Sequence, residues 1–159
     1  CPAALASLTV VAKMRSGAIP AKIWAWINSI SSLRSLSLFG MYDYLIPDLP
    51  VLCQLELFSL TGYSGDIVPI LSQLGPSLRH LYLDRLSFPL ERLNQLFAAA
   101  KPQVAQVLTH LSVGALNTGM VSQKGYVEKI KLFMRFFCEH FQQLNYLHVR
   151  FALQVGFGL

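Results

Sequence analysis

Three of the chain's four histidines, His80, His110 and His148, stand inside short aliphatic phrases, with Glu56 and Asp84 as nearby carboxylates. Such residues could ligate a metal, or titrate near neutral pH and make a contact surface pH-sensitive. A zinc site needs three or four ligands converging at about 2 Å from one ion. Nothing in the spacing brings His148 to the other two, so no metal ligand is assigned. Thr61-Gly-Tyr-Ser64-Gly-Asp66 resembles part of a nucleophile elbow, but its second glycine falls one place early and no histidine is placed to serve Ser64. It reads instead as a turn feeding a helix cap at Asp66. His140, beside Glu139 in a long amphipathic stretch, reads as an ordinary helix residue. No catalytic, cofactor-binding or metal residue is assigned, and the expectation is a protein that is not an enzyme and needs no cofactor.

What must position these side chains is a recurring leucine phrase. It reads Leu33-Arg-Ser-Leu36-Ser-Leu38, Leu52-Cys-Gln-Leu55-Glu-Leu57, Leu78-Arg-His-Leu81-Tyr-Leu83, Leu108-Thr-His-Leu111-Ser-Val113 and Leu144-Asn-Tyr-Leu147-His-Val149, with a weaker copy at Leu5-Ala-Ser-Leu8-Thr-Val10. The starts at 5, 33, 52, 78, 108 and 144 differ by 28, 19, 26, 30 and 36 residues, so the repeats are irregular. Each phrase predicts one strand, and most connections predict helices. Pro20 opens a helix over Ala21 to Ser31, with Ile23, Trp24, Ile27 and Ile30 on its apolar side. Asp66 caps a short helix that tolerates Pro69 in its first turn and stops at Gly75-Pro76. Further helices are expected from Ser87 to Ala100, before Pro102, and from Gly125 to Gln143, where Val127, Ile130, Phe133, Met134, Phe137 and Phe141 share one side. The proline-rich stretch from Met41 to Pro50 reads as extended or turn.

Strand, helix, strand implies parallel pairing through crossovers. The fold class is therefore α/β, a solenoid with a curved parallel sheet on its concave face and helices on its convex face. Places one, four and six of each phrase point into the core, and period two sends places three, five and seven to the open face. The third-place column is then Ser7, Ser35, Gln54, His80, His110 and Tyr146. The fifth-place column is Thr9, Ser37, Glu56, Tyr82, Ser112 and His148, and the seventh is Val11, Phe39, Phe58, Asp84, Gly114 and Arg150. Aromatics on a strand face, here Phe39 beside Phe58 with Tyr82 and Tyr146 nearby, are residues that anchor protein interfaces. The candidate partner-binding set is Phe39, Glu56, Phe58, His80, Tyr82, Asp84, His110, Tyr146, His148 and Arg150.

Composition narrows the class. With 53% apolar and 13% charged residues, the chain is apolar for a soluble protein. Its greasiest run, Ile130 to Phe141, is broken by Lys131 and Arg135 and is too short to span a bilayer. Residues 1–159 read as one domain of about six repeats, a fragment of a longer protein, since end repeats of such stacks carry polar caps. Cys1, Cys53 and Cys138 have no C-x-x-C spacing, which favours a reducing intracellular setting, cytoplasmic or nuclear. The net charge of +5 concentrates on Lys124, Lys129, Lys131 and Arg135, the solvated side of one helix. No glycine-rich loop or aromatic-basic interleaving accompanies them, so no nucleic-acid partner is expected.

The L-x-x-L-x-L phrase, repeated with helical spacers, resembles the leucine-rich repeat superfamily in its ribonuclease-inhibitor-like branch. The resemblance runs from Leu5 to Val149. Many such families place Asn or Cys three residues after the sixth place; here Met41, Leu60, Leu86 and Leu116 stand there. Uneven spacing and the missing polar ladder make the chain similar to the irregular repeats of fungal-style F-box proteins. That resemblance implies a non-catalytic protein-binding module, the substrate-recognition repeats of an F-box-type ubiquitin-ligase receptor reaching its adaptor through a region upstream. The alternatives are a structural solenoid spacer and the repeat region of an innate-immune receptor.

Overall fold

A computed structural model of the chain describes residues 5–12, 19–42, 44–86, 102–115 and 123–151. Six strands form one sheet: β1 (Ser7–Val11), β2 (Ser35–Phe39), β3 (Leu57–Thr61), β4 (His80–Leu86), β5 (His110–Ala115) and β6 (Tyr146–Phe151). All pairings are parallel and the strands lie in sequence order, each bonded to the next. The connections carry α1 (Ala21–Asn28), a 3-10 turn (Pro50–Gln54), α2 (Val68–Gln73), α3 (Pro102–Val107) and α4 (Gln123–His140). The protein is an α/β protein built on a single six-stranded parallel sheet.

The strand entries share one hydrogen-bond device. The carbonyl of Ala6 accepts from the N–H groups of both Arg34 and Ser35, that of Arg34 from Glu56 and Leu57, and that of Glu56 from Arg79 and His80. Arg79 serves Thr109 and His110 in the same way, and Thr109 serves Asn145 and Tyr146. One carbonyl per repeat thus takes two donors of the next repeat, leaving few backbone groups unpaired where the strands begin. Side chains add further ties between neighbouring repeats. Ser32 Oγ donates to the Leu5 carbonyl at 2.9 Å and Gln54 Nε2 to the Ile30 carbonyl at 3.0 Å. Behind them, Gln73 Oε1 accepts from the Leu49 N–H at 2.6 Å.

This ladder corrects the frame of one repeat. β2 pairs Leu36 with Phe58 and Leu38 with Leu60, so the third copy reads Leu55-Glu-Leu-Phe58-Ser-Leu60, three residues later than the leucines alone suggest. An odd slip exchanges the two faces of a strand. Phe58, expected outward, is fully buried, as are Leu55 and Leu60. The core wins because it takes a phenyl ring at place four as readily as a leucine. With Leu55 as the start, the differences become 28, 22, 23, 30 and 36 from starts at 5, 33, 55, 78, 108 and 144.

Elsewhere places one, four and six behave as expected. Leu33, Leu36, Leu38, Leu78, Leu81, Leu83, Leu108, Leu111 and Val113 are buried in one cluster with Trp24 and Ile27 of α1, Ile70 and Leu71 of α2, Val104 of α3 and Phe137 of α4. The helices therefore cover the leucine face of the sheet, and the other face carries places three, five and seven. In β1 and β6 the same places are only partly buried.

The helix boundaries follow local chemistry. α1 begins directly after Pro20, buries Trp24 and Ile27 three residues apart, and ends where Ser29 Oγ bonds the Trp26 carbonyl at 2.7 Å. Ile23, expected on its inner side, is instead partly exposed. Asp66, expected as the cap of α2, stands one place ahead of the cap position, which Ile67 fills without a side-chain bond; its Oδ1 still accepts the Val68 N–H at 3.1 Å, and Pro69 sits in the first turn of α2. Pro102, expected to follow a helix, opens α3, where its missing N–H costs nothing. The helix expected over 87–100 lies outside the described residues. Phe137 of α4 and Phe141 just beyond its end are buried and stacked at 4.8 Å, but Met134 is exposed, against expectation.

Candidate interaction face

Places three, five and seven of β4, β5 and β6 form a three-by-three array: His80, Tyr82, Asp84; His110, Ser112, Gly114; Tyr146, His148, Arg150. Parallel strands bring like places together at about 5 Å, so each column becomes a contact chain. In the third-place column the His80 and His110 ring centroids are 4.5 Å apart, and His110 stacks on Tyr146 at 5.7 Å with 29° between planes. In the fifth-place column Ser112 Oγ and His148 Nδ1 bond at 3.3 Å, beside Tyr82. In the seventh, Asp84 Oδ1 lies 4.0 Å from an Arg150 guanidinium nitrogen.

Asp84 also lies 3.9 Å from Arg85 Nε, and Arg85 has a positive φ of 52°. The register between β4 and β5 shifts there, with Leu83 facing Val113 but Leu86 facing Ala115. Two residues, Asp84 and Arg85, thus oppose the single Gly114, which makes a β-bulge. A Cβ on Gly114 would run into the Asp84 carboxylate, so the glycine holds open the space in which Asp84 turns toward Arg150. Gly40, Gly62 and Arg85 all stand two residues after the sixth place, and all three have positive φ. The chain leaves β2 and β3 through a left-handed glycine at no steric cost, whereas in β4 the left-handed residue is an arginine inside the bulge, at some cost.

Electrostatics differ between the paired histidines. Burial, and next the charge of a protonated His110, hold His80 below the ordinary histidine value; the Glu56 carbonyl and carboxylate oppose this less strongly. Glu56, expected on the fifth-place column, occupies the second place of its repeat and is exposed at the strand entry. Away from the face, burial first and Asp66 second raise the Tyr63 hydroxyl.

Eight of the ten expected residues thus keep their columns, and His80, Tyr82, Asp84, His110, Tyr146, His148 and Arg150 are brought together. Phe39 is set apart at the other end of the sheet. It is 38% exposed, with Val11 and Thr61, not Phe58, as its register neighbours. In β3 the outward places belong to Leu57, Ser59 and Thr61. Ser64 is tied into a turn, its hydroxyl donating to the Tyr42 carbonyl, and no histidine among the described residues bonds it. No group of three or more His, Cys, Asp or Glu among the described residues is arranged to hold a metal. No described helix is long and apolar enough to cross a membrane. The basic residues of α4 include Lys131, paired with Glu128 at 3.0 Å; the Lys124 and Lys129 side chains lie outside the described residues.

Sequence reasoning missed Gly114, Thr109 and the β3 frame. The glycine at the eighth place was the available signal: aligning Phe39-Gly40 with Thr61-Gly62 gives the observed frame directly.

These features define an α/β protein with a sequentially ordered parallel sheet, one face packed and the other carrying a ring-and-charge array. No protein-family model matches the chain, and comparisons with curated proteins and with solved structures find no match.

Proposed function

We propose that this chain is a leucine-rich repeat solenoid whose sheet forms a concave protein-binding surface, acting by recognition and not by catalysis. The observation that carries the reading is the array on β4 to β6, where three rings lie in contact along one column and an ion pair closes another. Stacked aromatic and imidazole rings give large contact area at low entropy cost, as in protein-binding hot spots. The repeated strand-entry ladder and the in-order parallel sheet support the solenoid. By resemblance to irregular F-box repeats, the parent is an intracellular substrate receptor of a ubiquitin ligase, and this segment selects the target.

Photo-crosslinking tests the face. A crosslinker replacing Tyr82 in the parent protein is expected to capture one protein species, and the same group replacing Trp26 on α1 is not. Combining it with Phe39→Ser and Tyr146→Ala should abolish capture while the melting temperature stays within a few degrees. Equal labelling from both faces would sink the reading in favour of a spacer. Co-purification of the same parent with a ubiquitin-ligase adaptor tests the receptor assignment separately.

A further inference from the structure

The shortest ring contact on the open face joins two titratable groups, His80 and His110, at 4.5 Å. Thr109 Oγ1 lies 3.0 Å from the Arg79 carbonyl and 2.9 Å from His110 Nδ1, so that ring nitrogen is already engaged by its own repeat. We propose that the His80–His110 pair is a proton-gated site for a carboxylate on an acidic segment of a protein partner. This rests on the protein-binding reading and specifies the chemistry of the partner.

The charges around the pair favour that ligand. On and beside the outward places of β4 to β6 the permanent charges are Asp84, Arg150 and Arg85, both arginines approaching the one carboxylate. Tyr82 and Tyr146 add rings to this face, and His148 is bonded to Ser112. At the strand entries, Arg79 donates to the carbonyls of Pro76 and Val107, and Glu56 is the carboxylate that acts on His80. Apart from the histidines these groups leave one positive charge, three arginines against two carboxylates. Below the histidine range, each ring gains a positive charge, and two imidazolium groups 4.5 Å apart repel. One carboxylate reaching both rings from the open side offsets one of the two charges and relieves the repulsion between them. Binding then takes up protons, and by reciprocity protonation strengthens binding. The lowered His80 value, set first by burial and second by His110, adds to the resistance against full protonation of the pair.

The test uses the whole chain and an acetylated hexa-aspartate peptide, with histidine ring NMR signals followed at about pH 5.5 and about pH 7.5, on either side of the ordinary histidine value. The peptide should bind at least about tenfold more tightly at the lower pH, move the His80 and His110 signals together, and raise their apparent titration midpoint. His110→Gln should remove the pH dependence, and Thr109→Val should weaken it by removing the Nδ1 contact that holds the ring, both with unchanged backbone spectra. Equal affinity at both pH values, perturbation centred on Lys131 and Arg135, or retained pH dependence in His110→Gln would overturn the proposal. If those failures occur while the Tyr82 crosslink still captures a partner at neutral pH, the acidic-segment site falls and the binding face stands.

Discussion

Asp84 and Arg150 approach to 4.0 Å across an intervening strand, and what lies between them is Gly114. Two residues 66 positions apart (150 − 84) meet because β4, β5 and β6 stack in register and the middle strand has no side chain at that place. Gly114→Ala should push the carboxylate aside and break the pair. Because both side chains are substantially exposed, the stability cost should stay within about 1 kcal/mol. Chemical denaturation should show that small change, and partner capture should fall more than stability does. Unchanged capture would mean that the ion pair lies off the contact area.

Phe58→Ala should cost about 3–5 kcal/mol, the usual cost of emptying a buried phenylalanine site. Phe39→Ala, at 38% exposure, should cost far less. Denaturant midpoints of the two variants compare the two faces of the sheet directly. Similar losses would contradict the observed frame of β3.

Arg85 holds a left-handed conformation that glycine adopts freely, as Gly40 and Gly62 do at the same place in their repeats. Arg85→Gly should therefore be neutral to stabilising, by up to about 1 kcal/mol, once the strain relieved is set against the greater freedom of glycine in the unfolded chain. Arg85→Ala keeps the strain and should not stabilise. Thermal melting of the two variants separates relief of strain from loss of the arginine's charge.

His80 is held below its ordinary value of 6.5 by burial and by His110. The unfolded chain then binds a proton more readily than the folded one. The contribution of neutral His80 is fully present above about pH 6.5 and is lost as pH falls from there through the lower folded value. Melting temperature should decline across that window, and His80→Asn should flatten the decline. A profile that instead rises as pH falls would reverse the assigned direction.

The leucine phrase made most of the strands legible, because alternation around places four and six, with place one buried just before the strand, is a local requirement that the copies repeat. It misled at the third copy. Leu52, Leu55, Leu57 and Leu60 allow two frames, and only pairing with β2 chooses between them. The decisive local mark was Gly62, a residue that the backbone needs and that hydrophobic spacing does not count. Helix faces were less legible. Ile23 and Met134 have inward-looking spacing yet are exposed, since the sheet offers each helix only a limited width of apolar surface.

By itself the sequence determined the α/β class, the strand positions of five of the six copies, and the presence of histidine, aromatic and charged residues on alternate places. The tertiary structure alone decided which of these touch. It put Phe58 in the core and Leu57 on the face, set the His80 ring against His110, opened a bulge at Arg85, and let Asp84 reach Arg150 over Gly114. The reason is physical: alternation along one strand is set by its own backbone, whereas register and contact between strands are set by hydrogen bonds among residues far apart in the chain.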